Sequence, residues 1–388
     1  MRDRTCLIYV QHLLGTGHAV RAAALAREMA RRGLAVTLVT GNSLPATLDV
    51  SGFDVRELPP ARAADARFAG LVDPAGQALD EIWQTDRTER LLDLYEVIRP
   101  DILVTETFPL GRRKFAFELL PLLDKAGTSD PAPLIACSVR DILVRKTDPR
   151  KEAWMADIAR AHYDLVLVHA DPALVRLEDS FAYADRIADL VRYTGYVHEA
   201  TGAAHPGPND GTDKVIVSAG GGAVGLDLLQ TALAARAHSR RAGDLTWRLL
   251  IGNAHTPAAF DSLRRAADDG FVVERVRPDF RALLSQARLS ISQAGYNTAL
   301  DVVEAGCAAV FVPFEDEGET EQRLRADLLH RRGLGQVVPQ AEVTAARLAE
   351  AVDAALVHPR PDLQIRMNGA AVAADILCEM HETKRIKG

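Results

Sequence analysis

Short apolar runs alternate along this chain with longer segments in which apolar residues recur every three or four positions. This alternation predicts parallel β-sheets that are covered by helices on both faces. In the first half, a helix predicted at Val20–Arg32 ends at Gly33, a residue type that commonly terminates helices. The strands predicted in this half are Cys6–Val10, Val36–Thr40, Ile102–Thr105, Leu134–Ser138 and Leu165–His169.

A second series of elements begins at Val215, after a segment at 202–212 that is rich in Gly, Pro, Asn and Asp and has no periodicity. Its predicted strands are Val215–Ser218, Trp247–Ile251, Val272–Glu274, Leu289–Ser292 and Ala309–Val312. The helices predicted between and after them are Leu226–Ser239, Ala258–Ala267, Phe280–Ala287, Asn297–Ala305, a helix that Gly333 ends, Thr344–Val357 and Leu363–Glu382.

We therefore predict an α/β protein of two doubly wound, Rossmann-like domains. The N-terminal domain is predicted at 1–200, the linker at 201–212 and the C-terminal domain at 213–388. Whether the last helix packs back on the N-terminal domain stays open. Because ligands of such sheets bind at the carboxyl ends of the strands, we expect a site in a cleft between the two domains.

Composition narrows the class of protein. The chain has 388 residues, which exceeds what one hydrophobic core usually serves, and its net charge of −7 argues against a nucleic-acid partner. Its four cysteines are scattered, which predicts a reducing compartment and offers no spacing for a metal site. The apolar run that ends at Val10 is too short for a signal peptide, and no apolar stretch would span a membrane, so a cytoplasmic location is predicted.

The first loop that suggests chemistry is Gly15–His18, between the first predicted strand and helix. Its two glycines allow a tight turn that brings backbone amides near a ligand, and the start of a helix favours negative charge. His18 at this rim is a candidate proton acceptor, because an imidazole titrates near neutral pH. Helix capping or packing is the alternative role for His18.

The second loop, Ser218–Gly225, has the glycine spacing of a dinucleotide-binding turn. However, the next strand ends at Asn253 without the carboxylate that would hold a nicotinamide cofactor's ribose. Leu226 and Asp227 stand where an ATP-hydrolysing loop needs Lys and Ser or Thr. The remaining interpretation is a backbone cradle for phosphate oxygens, with a simple tight turn as the alternative.

The third loop runs from Ser292 to Thr298 and again places a glycine, Gly295, between a strand and a helix. Asp301 lies about one turn into that helix, where it is a candidate acceptor for ribose hydroxyls. The acidic run Glu315–Glu321 is ordinarily a solvated loop, but Glu321 and Gln322 begin a helix and offer groups that bind sugar hydroxyls.

The stretch from Ile291 to Gly335 closely resembles the nucleotide-sugar-binding half of GT-B glycosyltransferases, in particular the MurG-like family 28. The Gly-His loop and the Gly-rich loop occur in that family in the same order. The segments Thr105–Phe115, Ser138–Ile142 and Val168–Pro172 look like an uncharacterised bacterial branch of predicted glycosyltransferases. The resemblance covers nearly the whole chain and implies a GT-B fold.

The resemblance implies a metal-independent, inverting transfer of a hexose or N-acetylhexosamine from a UDP-sugar or another NDP-sugar, with no cofactor. Asp301 falls where the family usually has a ribose-binding Glu, so its side chain is one methylene shorter than expected. The implied donor-binding residues are Gly17, Ser218, Gly220, Gly221, Gly222, Arg277, Gly295, Asn297, Thr298, Asp301, Glu321 and Gln322.

An acceptor must lose a proton during transfer, and three residues at predicted strand ends are candidate catalytic groups: His18, Glu106 and Asp141. His18 is preferred as the base, with Glu106 as its orienting partner. Arg112, Arg113 and Lys114 are adjacent cations at a predicted helix start, against the preference of the helix dipole. Together with Arg140 they suggest an acceptor with a phosphate or carboxylate, either a small molecule or a lipid-linked one with peripheral membrane contact. A solvated surface is the alternative.

Two other functions remain open on the same scaffold. One is a nucleotide-sugar epimerase or hydrolase, which would turn over without an acceptor. The other is a nucleotide-sugar-binding protein without catalysis, in which His18 and Glu106 would be dispensable.

Overall fold

The computed structural model describes residues 4–13, 17–45, 48–63, 70–146, 148–198, 210–220, 224–315, 320–359, 361 and 363–387. The strands are β1 Thr5–Val10, β2 Ala35–Thr40, β3 Asp54–Glu57, β4 Arg62–Ala63, β5 Leu71–Val72, β6 Ile102–Glu106, β7 Leu134–Arg140, β8 Leu165–His169, β9 Val191–Tyr193, β10 Lys214–Ser218, β11 Thr246–Ile251, β12 Phe271–Arg275, β13 Leu289–Ser292, β14 Ala308–Phe311 and β15 Gln336–Val337. The helices are α1 Gly17–Arg31, α2 Glu81–Ile98, α3 Ala116–Gly127, α4 Pro149–His162, α5 Leu226–Ala235, α6 Pro257–Ala266, α7 Phe280–Gln286, α8 Tyr296–Ala305, α9 Glu321–Arg331, α10 Ala345–Val357 and α11 Gly369–Lys387.

The chain divides into two compact units. The first comprises residues 1–199 together with 366–388, and the second comprises 200–365. Each unit has its own parallel sheet and its own hydrophobic core. The prediction of an α/β protein with two doubly wound halves is therefore confirmed.

Within the described residues, the first unit has a seven-stranded sheet in the order β3-β2-β1-β6-β7-β8-β9. Its strands β1, β6 and β8 are buried and largely apolar because helices cover both faces of a parallel sheet. β1 pairs with β2 on one side and with β6 on the other, so the carboxyl ends of β1 and β6 lie side by side. The pairing of β1 with β6 brings together residues such as Cys6 and Ile102, which are 96 positions apart in the chain.

The last helix, α11, belongs to the first unit and packs along α1. Ala373, Ala374 and Leu377 of α11 are fully buried in the core of this unit. At its surface, the ammonium group of Lys384 lies 2.8 Å from a carboxylate oxygen of Asp164. These contacts show how the C-terminal segment completes the first unit.

The sheet of the second unit has the order β12-β11-β10-β13-β14-β15 over the described part of the chain. β10 lies beside β13, so the loops that follow these two strands emerge next to each other. α5 and α8 begin just after those loops, at Leu226 and Tyr296. The arrangement directs two helix N-termini to one edge of this sheet.

Most predicted elements are confirmed within one or two residues. The helix predicted at Leu226–Ser239 ends at Ala235 and continues as a 3-10 turn, and the helix predicted at Leu363–Glu382 runs from Gly369 to Lys387. Residues 366 and 367 are not helical, Asn368 forms a β-bridge with Val197, and the Tyr196 amide donates to the Arg366 carbonyl at 2.7 Å. The helix begins only at Gly369 because these longer-range hydrogen bonds outweigh the local helical periodicity. The short strands β3, β4, β5, β9 and β15 were not predicted. Among the described helices, none is long and apolar enough to cross a membrane.

Candidate active site

The carboxyl edge of the first sheet holds an ion cluster centred on Glu106, the last residue of β6. Glu106 is 1% exposed, and both of its carboxylate oxygens face His18 Nδ1, at 2.8 Å and 3.0 Å. His18 lies in the first turn of α1, directly after the loop that follows β1. The structure therefore brings together two of the three residues that the sequence predicted to be catalytic.

Arg21 and Thr107 complete this cluster. Arg21 lies one turn after His18 on α1, and its guanidinium pairs with Glu106 Oε1. The Thr107 hydroxyl donates to Glu106 Oε2 at 2.7 Å. Thr107 has a φ of +70°, which is strained for a β-branched residue and occurs mostly where a functional geometry requires it. Glu106 is thus held on several sides and cannot rotate freely.

The surroundings of His18 keep its imidazole neutral at pH 7. Burial lowers the pKa of His18 to about 4, although Glu106 opposes this change. Burial alone would raise the pKa of Glu106, but His18 and Arg21 beside it hold that pKa well below its usual range. Because Arg21 already compensates the Glu106 carboxylate, that carboxylate does not require an imidazolium as its partner.

A neutral His18 with this geometry has the form that a general base needs. If Nδ1 carries the proton and donates a hydrogen bond to Glu106, Nε2 is the unprotonated nitrogen. His18 makes no hydrogen bond through Nε2 to any described residue, and its side chain is 18% exposed. The pair can therefore accept a proton from a substrate hydroxyl.

Arg112 and His12 extend the cluster on the side of β1. Arg112 has a φ of +56°, and its Nε donates to the carbonyl of Gln11 at 2.7 Å. Burial lowers the pKa of the Arg112 guanidinium, which lies near Glu106. His12 is 6% exposed, and its Nδ1 has no hydrogen-bond partner among the described atoms. Two guanidinium groups, those of Arg21 and Arg112, therefore approach the Glu106 carboxylate.

The other predicted acceptor-side cations do not join Arg112 on one surface. Arg113 and Lys114 are exposed, and the Arg113 guanidinium lies 5.6 Å from the ring centroid of Trp154. Arg113 and Trp154 line a surface cavity of about 520 Å³ together with Arg150 and Lys151. Arg140 is half-buried at the end of β7. The three adjacent cations thus face different surroundings.

Asp141, the third candidate base, is fully buried in the loop that follows β7. Its Oδ1 accepts a hydrogen bond of 2.9 Å from the backbone amide of Ile142. A group without exposed surface cannot meet a substrate hydroxyl in this conformation. The structure therefore favours His18 over Asp141 as the base.

The edge of the second sheet is built from glycine turns. Ser218 ends β10, and its hydroxyl accepts a hydrogen bond from the Gly220 amide at 3.2 Å. Gly220 and Gly225 have φ values of +78° and +84°, which suit glycine. A Cβ at Gly225 would lie 2.6 Å from Ala219 Cβ and 2.8 Å from Gln293 Nε2. Gly221 and Gly222 lie outside the described residues.

The helix α8 begins at this edge, and its N-cap residue makes no side-chain hydrogen bond to the first turn. Gly295 is its N-cap residue, has a φ of −59° and meets no atom within 4 Å of a Cβ placed on it. Asn297 and Thr298 follow in the first turn, exposed and half-buried respectively. An uncapped helix start leaves backbone donors for a ligand and favours a negative charge. A Cβ placed on Gly17 of the first unit would also meet no atom within 4 Å.

Two predicted donor-binding residues are engaged in ion pairs. The Asp301 carboxylate lies 2.5 Å from Arg281 Nε, and its side chain is 13% exposed. Arg277 pairs with Asp279 at 2.6 Å and with Asp210 at 2.9 Å. A ribose at Asp301 would share this carboxylate with Arg281. A base at Arg277 would contact a guanidinium whose charge is already neutralised.

A cavity of about 470 Å³ opens at the same edge of the second sheet. Its walls include Gly225, Gln293, Phe314 and Glu315. None of the predicted donor-binding residues lines the cavity among the described residues, but Gln322 Oε1 accepts a hydrogen bond from the Phe314 amide at 3.2 Å. Its volume falls in the range of roughly 300–1,000 Å³ that is usual for small-molecule sites.

Glu321 has a different environment from the one that the sequence suggested. It is 5% exposed, and its Oε1 accepts a hydrogen bond from Arg325 Nη2 at 3.0 Å.

Over the described residues, no group of three or more His, Cys, Asp or Glu side chains is arranged to hold a metal ion.

Four residues at these two edges were missed by the sequence analysis: His12, Arg21, Thr107 and Arg325. Arg21 follows His18 by three positions on α1, a spacing that places both on one helix face and would have predicted their contact. The i, i+4 spacing of Glu321 and Arg325 on α9 would have predicted their ion pair, but no local signal predicts the contacts of Arg325 with Ala294 and Tyr296, which lie in another loop and helix.

Comparison with known proteins bears on the second unit most directly. Residues 216–377 match the model of the glycosyltransferase family 28 C-terminal domain. A UDP-N-acetylglucosamine–N-acetylmuramyl-(pentapeptide) pyrophosphoryl-undecaprenol N-acetylglucosamine transferase of Tolumonas auensis is 38% identical over 95 residues, 24% of this chain and 27% of that enzyme. The enzyme of the same name from Rhodospirillum centenum is 28% identical over 358 residues, 89% of this chain and 84% of its own length.

The chain thus spans about a quarter of the first of these relatives and most of the second. Among solved structures, the calicheamicin glycosyltransferase CalG4 superposes with a TM-score of 0.64, at 16% identity, over 100% of this chain and 98% of CalG4. This likeness shows the fold, which is the GT-B architecture of two Rossmann-like units.

Proposed function

We propose that this chain is a glycosyltransferase, because residues 216–377 match the model of the glycosyltransferase family 28 C-terminal domain. It transfers a hexose or an N-acetylhexosamine from a UDP-sugar, or another NDP-sugar, to the hydroxyl of an acceptor. The relatives that it matches are named for UDP-N-acetylglucosamine as donor. The observation that carries the proposal is the uncapped start of α8 beside the glycine turn at Gly225.

The donor's diphosphate binds at this edge of the second unit. As the bond between the sugar's anomeric carbon and the phosphate oxygen breaks, negative charge develops on the diphosphate. The amides at the start of α8 and the glycine turn after β10 stabilise that charge without a metal ion. Asp301 receives the ribose hydroxyls, with Arg281 holding its carboxylate in place. Treatment with a chelator should leave the activity unchanged.

His18 removes the proton from the acceptor. The acceptor oxygen attacks the anomeric carbon on the face opposite to the leaving diphosphate, and its proton moves to His18 Nε2. The anomeric configuration is thereby inverted. Glu106 orients the imidazole and stabilises the positive charge that it gains. The proton balance closes when His18 releases the proton to solvent.

The acceptor carries an anionic group. Arg21 and Arg112 both approach Glu106, so a phosphate or carboxylate near Arg112 would balance the second cation. Such an acceptor is either a small anionic molecule or a lipid-linked one. The relatives' printed names contain a pyrophosphoryl-undecaprenol acceptor, which agrees with the second possibility.

A thermal-shift panel of nucleotides and nucleotide sugars tests the donor assignment, because a ligand that binds only the folded state raises Tm. We expect UDP or another nucleoside diphosphate to raise Tm, and the matching nucleotide sugar to do so as well. Release of nucleoside diphosphate should then depend on added acceptor. An unchanged Tm with every nucleotide, or a shift with NAD alone, would overturn the proposal. Rapid turnover without acceptor would indicate a hydrolase or epimerase, and binding without turnover a sensor.

A further inference from the structure

Arg325 is a buried cation in the second helical turn of α9, where it contacts both neighbours of Gly295. It is 2% exposed, and its Nη1 donates to the carbonyl of Ala294 at 2.9 Å. The same guanidinium lies 5.6 Å from the ring centroid of Tyr296. Arg325 therefore contacts the loop on either side of the N-cap residue of α8.

Glu321 holds Arg325 from one turn earlier in the same helix. The two side chains are 7% and 3% exposed, and Arg325 Nη2 lies 3.0 Å from Glu321 Oε1. Burying a guanidinium is costly unless it is paired and hydrogen-bonded, and such a pair adds little net stability compared with apolar residues. A role in fixing one conformation is therefore the better explanation for retaining this pair.

The loop that Arg325 contacts also supports the second glycine turn. Gln293, next to Ala294, is 8% exposed, and its side chain lies against Gly225, the N-cap residue of α5. Gln293 and Gly225 both line the cavity of about 470 Å³. Displacement of residues 293–295 would thus disturb the starts of α5 and α8 together.

We propose that Arg325, held by Glu321, is a positioning residue that fixes the loop 293–295 and so aims the first amides of α8 at the donor's diphosphate. Glu321 then acts through Arg325 and does not contact the sugar. This inference rests on the proposed function, because the diphosphate is the ligand that these amides bind. Stabilisation by backbone dipoles depends on their being held in place before the reaction.

The geometry of the guanidinium explains why arginine is needed. Its planar fork donates to Ala294 and to Glu321 at the same time, whereas the ammonium group of lysine is a point donor on a flexible stem. Arg325→Lys keeps the charge but should lose one of the two contacts. Glu321→Gln keeps an acceptor for Arg325 but removes the charge.

The test compares Arg325→Lys and Glu321→Gln with Arg331→Lys, a matched exchange at an exposed position of the same helix. Calorimetry measures the binding of UDP, TDP and GDP, and hydrogen exchange follows the amides of residues 293–298 without ligand. For Arg325→Lys we expect at least tenfold weaker binding of the nucleoside diphosphate that the wild type prefers, and faster exchange at 293–298. Glu321→Gln should change both in the same direction by a smaller factor, and Arg331→Lys should change neither.

Comparing donors with and without the sugar tells whether Glu321 positions the loop through Arg325 or contacts the sugar directly. Under our inference, each variant weakens the free nucleoside diphosphate and its sugar conjugates by the same factor, and the KM for the acceptor stays unchanged. If Glu321→Gln alters only the discrimination between donor sugars, Glu321 contacts the sugar and the inference is wrong.

Unchanged exchange and binding in Arg325→Lys would overturn the inference while leaving the proposed function intact. A wild-type protein that binds none of the three nucleotides would overturn the proposed function itself. If Arg325→Lys does not fold, Glu321→Gln decides through the same two measurements.

Discussion

The two sheets of this protein end in sites of opposite construction. At the edge of the first sheet, charged side chains form the site: His18, Arg21 and Glu106 are within hydrogen-bonding distance of one another. At the edge of the second sheet, glycine turns and an uncapped helix present backbone amides. Arg325, a buried charged residue near this edge, contacts the loop through the Ala294 carbonyl.

The difference matches two chemical tasks. Moving a proton requires a group whose pKa the protein can set, and only a side chain has one. Stabilising a diphosphate requires several donors close together, which backbone amides supply without the cost of burying a further charge. Substitutions at the first edge should therefore change turnover and pH dependence, whereas those at the second edge should change donor affinity.

The largest effect is expected for His18→Ala. Loss of a general base commonly lowers turnover by roughly 10²–10⁴-fold. We expect a fall in kcat of this size with an almost unchanged Kd for the nucleotide sugar, measured by steady-state kinetics and calorimetry. His162→Ala, a partly exposed histidine of the same unit, is the matched control and should be silent. An equal loss of kcat and donor affinity would remove His18 as the base.

Two glycines of the second edge should respond in opposite ways to the same substitution. Gly225→Ala forces a methyl group against Ala219 and Gln293 at a φ of +84°, so we expect the free energy of unfolding to fall by about 2–4 kcal/mol. Gly295→Ala meets open space at an ordinary φ, so stability should hold while the methyl group weakens binding of the diphosphate. Denaturant titrations and calorimetry measure both. Loss of stability without loss of binding in Gly295→Ala would contradict the placement of the diphosphate.

The sequence predicted the glycine edge more fully than the charged edge, and the reason is physical. A glycine turn between a strand and a helix is a local requirement, so Gly220, Gly225 and Gly295 could be recognised from their neighbours alone. The sequence predicted Glu106 as the partner of His18 but missed Arg21 and Thr107 in the same cluster, because this cluster depends on β1 lying beside β6, which local patterns do not determine.

The sequence could not predict how deeply each charged side chain is buried or which group it pairs with. Asp141 and Glu106 both come at the carboxyl end of a buried strand and are almost fully buried, yet Asp141 bonds to a backbone amide whereas Glu106 pairs with His18 and Arg21. Glu321 looks like a surface residue in an acidic run, but its carboxylate is buried against Arg325. The adjacent cations Arg112 and Arg113 diverge because the chain turns through a positive φ at Arg112.

A smaller effect is expected at Asp301, within the second edge. If its carboxylate accepts ribose hydroxyls, Asp301→Ala should weaken donor binding by about 1–3 kcal/mol, the usual scale for a charged hydrogen-bond partner. Glu304→Ala is the control, because Glu304 is more exposed and lies 3.7 Å from the same Arg281. Calorimetry with the preferred nucleotide sugar measures both variants. Equal affinities in Asp301→Ala and the wild type would refute the ribose assignment.

The smallest effect at neutral pH, and the sharpest test of the charged edge, is expected for Arg21→Met. His18 works as a base only when neutral, so activity is present above its pKa and is lost as the pH falls through it. Burial lowers that pKa to about 4, with Arg21 contributing, so the wild-type kcat/KM should be flat from about pH 5 to 8. Without Arg21 the Glu106 carboxylate loses the guanidinium that pairs with it, and His18 loses a neighbouring positive charge, so the pKa of His18 rises.

The acidic limb of kcat/KM should therefore move upward into the measured range in Arg21→Met, while Arg31→Met, an exposed position on the same helix, leaves it in place. Because only the fraction of neutral His18 changes, Arg21→Met should lose little activity at the high end of the range. A limb that does not move would mean that Arg21 does not govern the charge of Glu106. A uniform loss at every pH would mean that Arg21 positions Glu106 without setting the protonation of His18. Either result would weaken the contrast between the two edges. The edge of the first sheet would then no longer be distinguished by a side chain, His18, whose pKa is set by its charged neighbours.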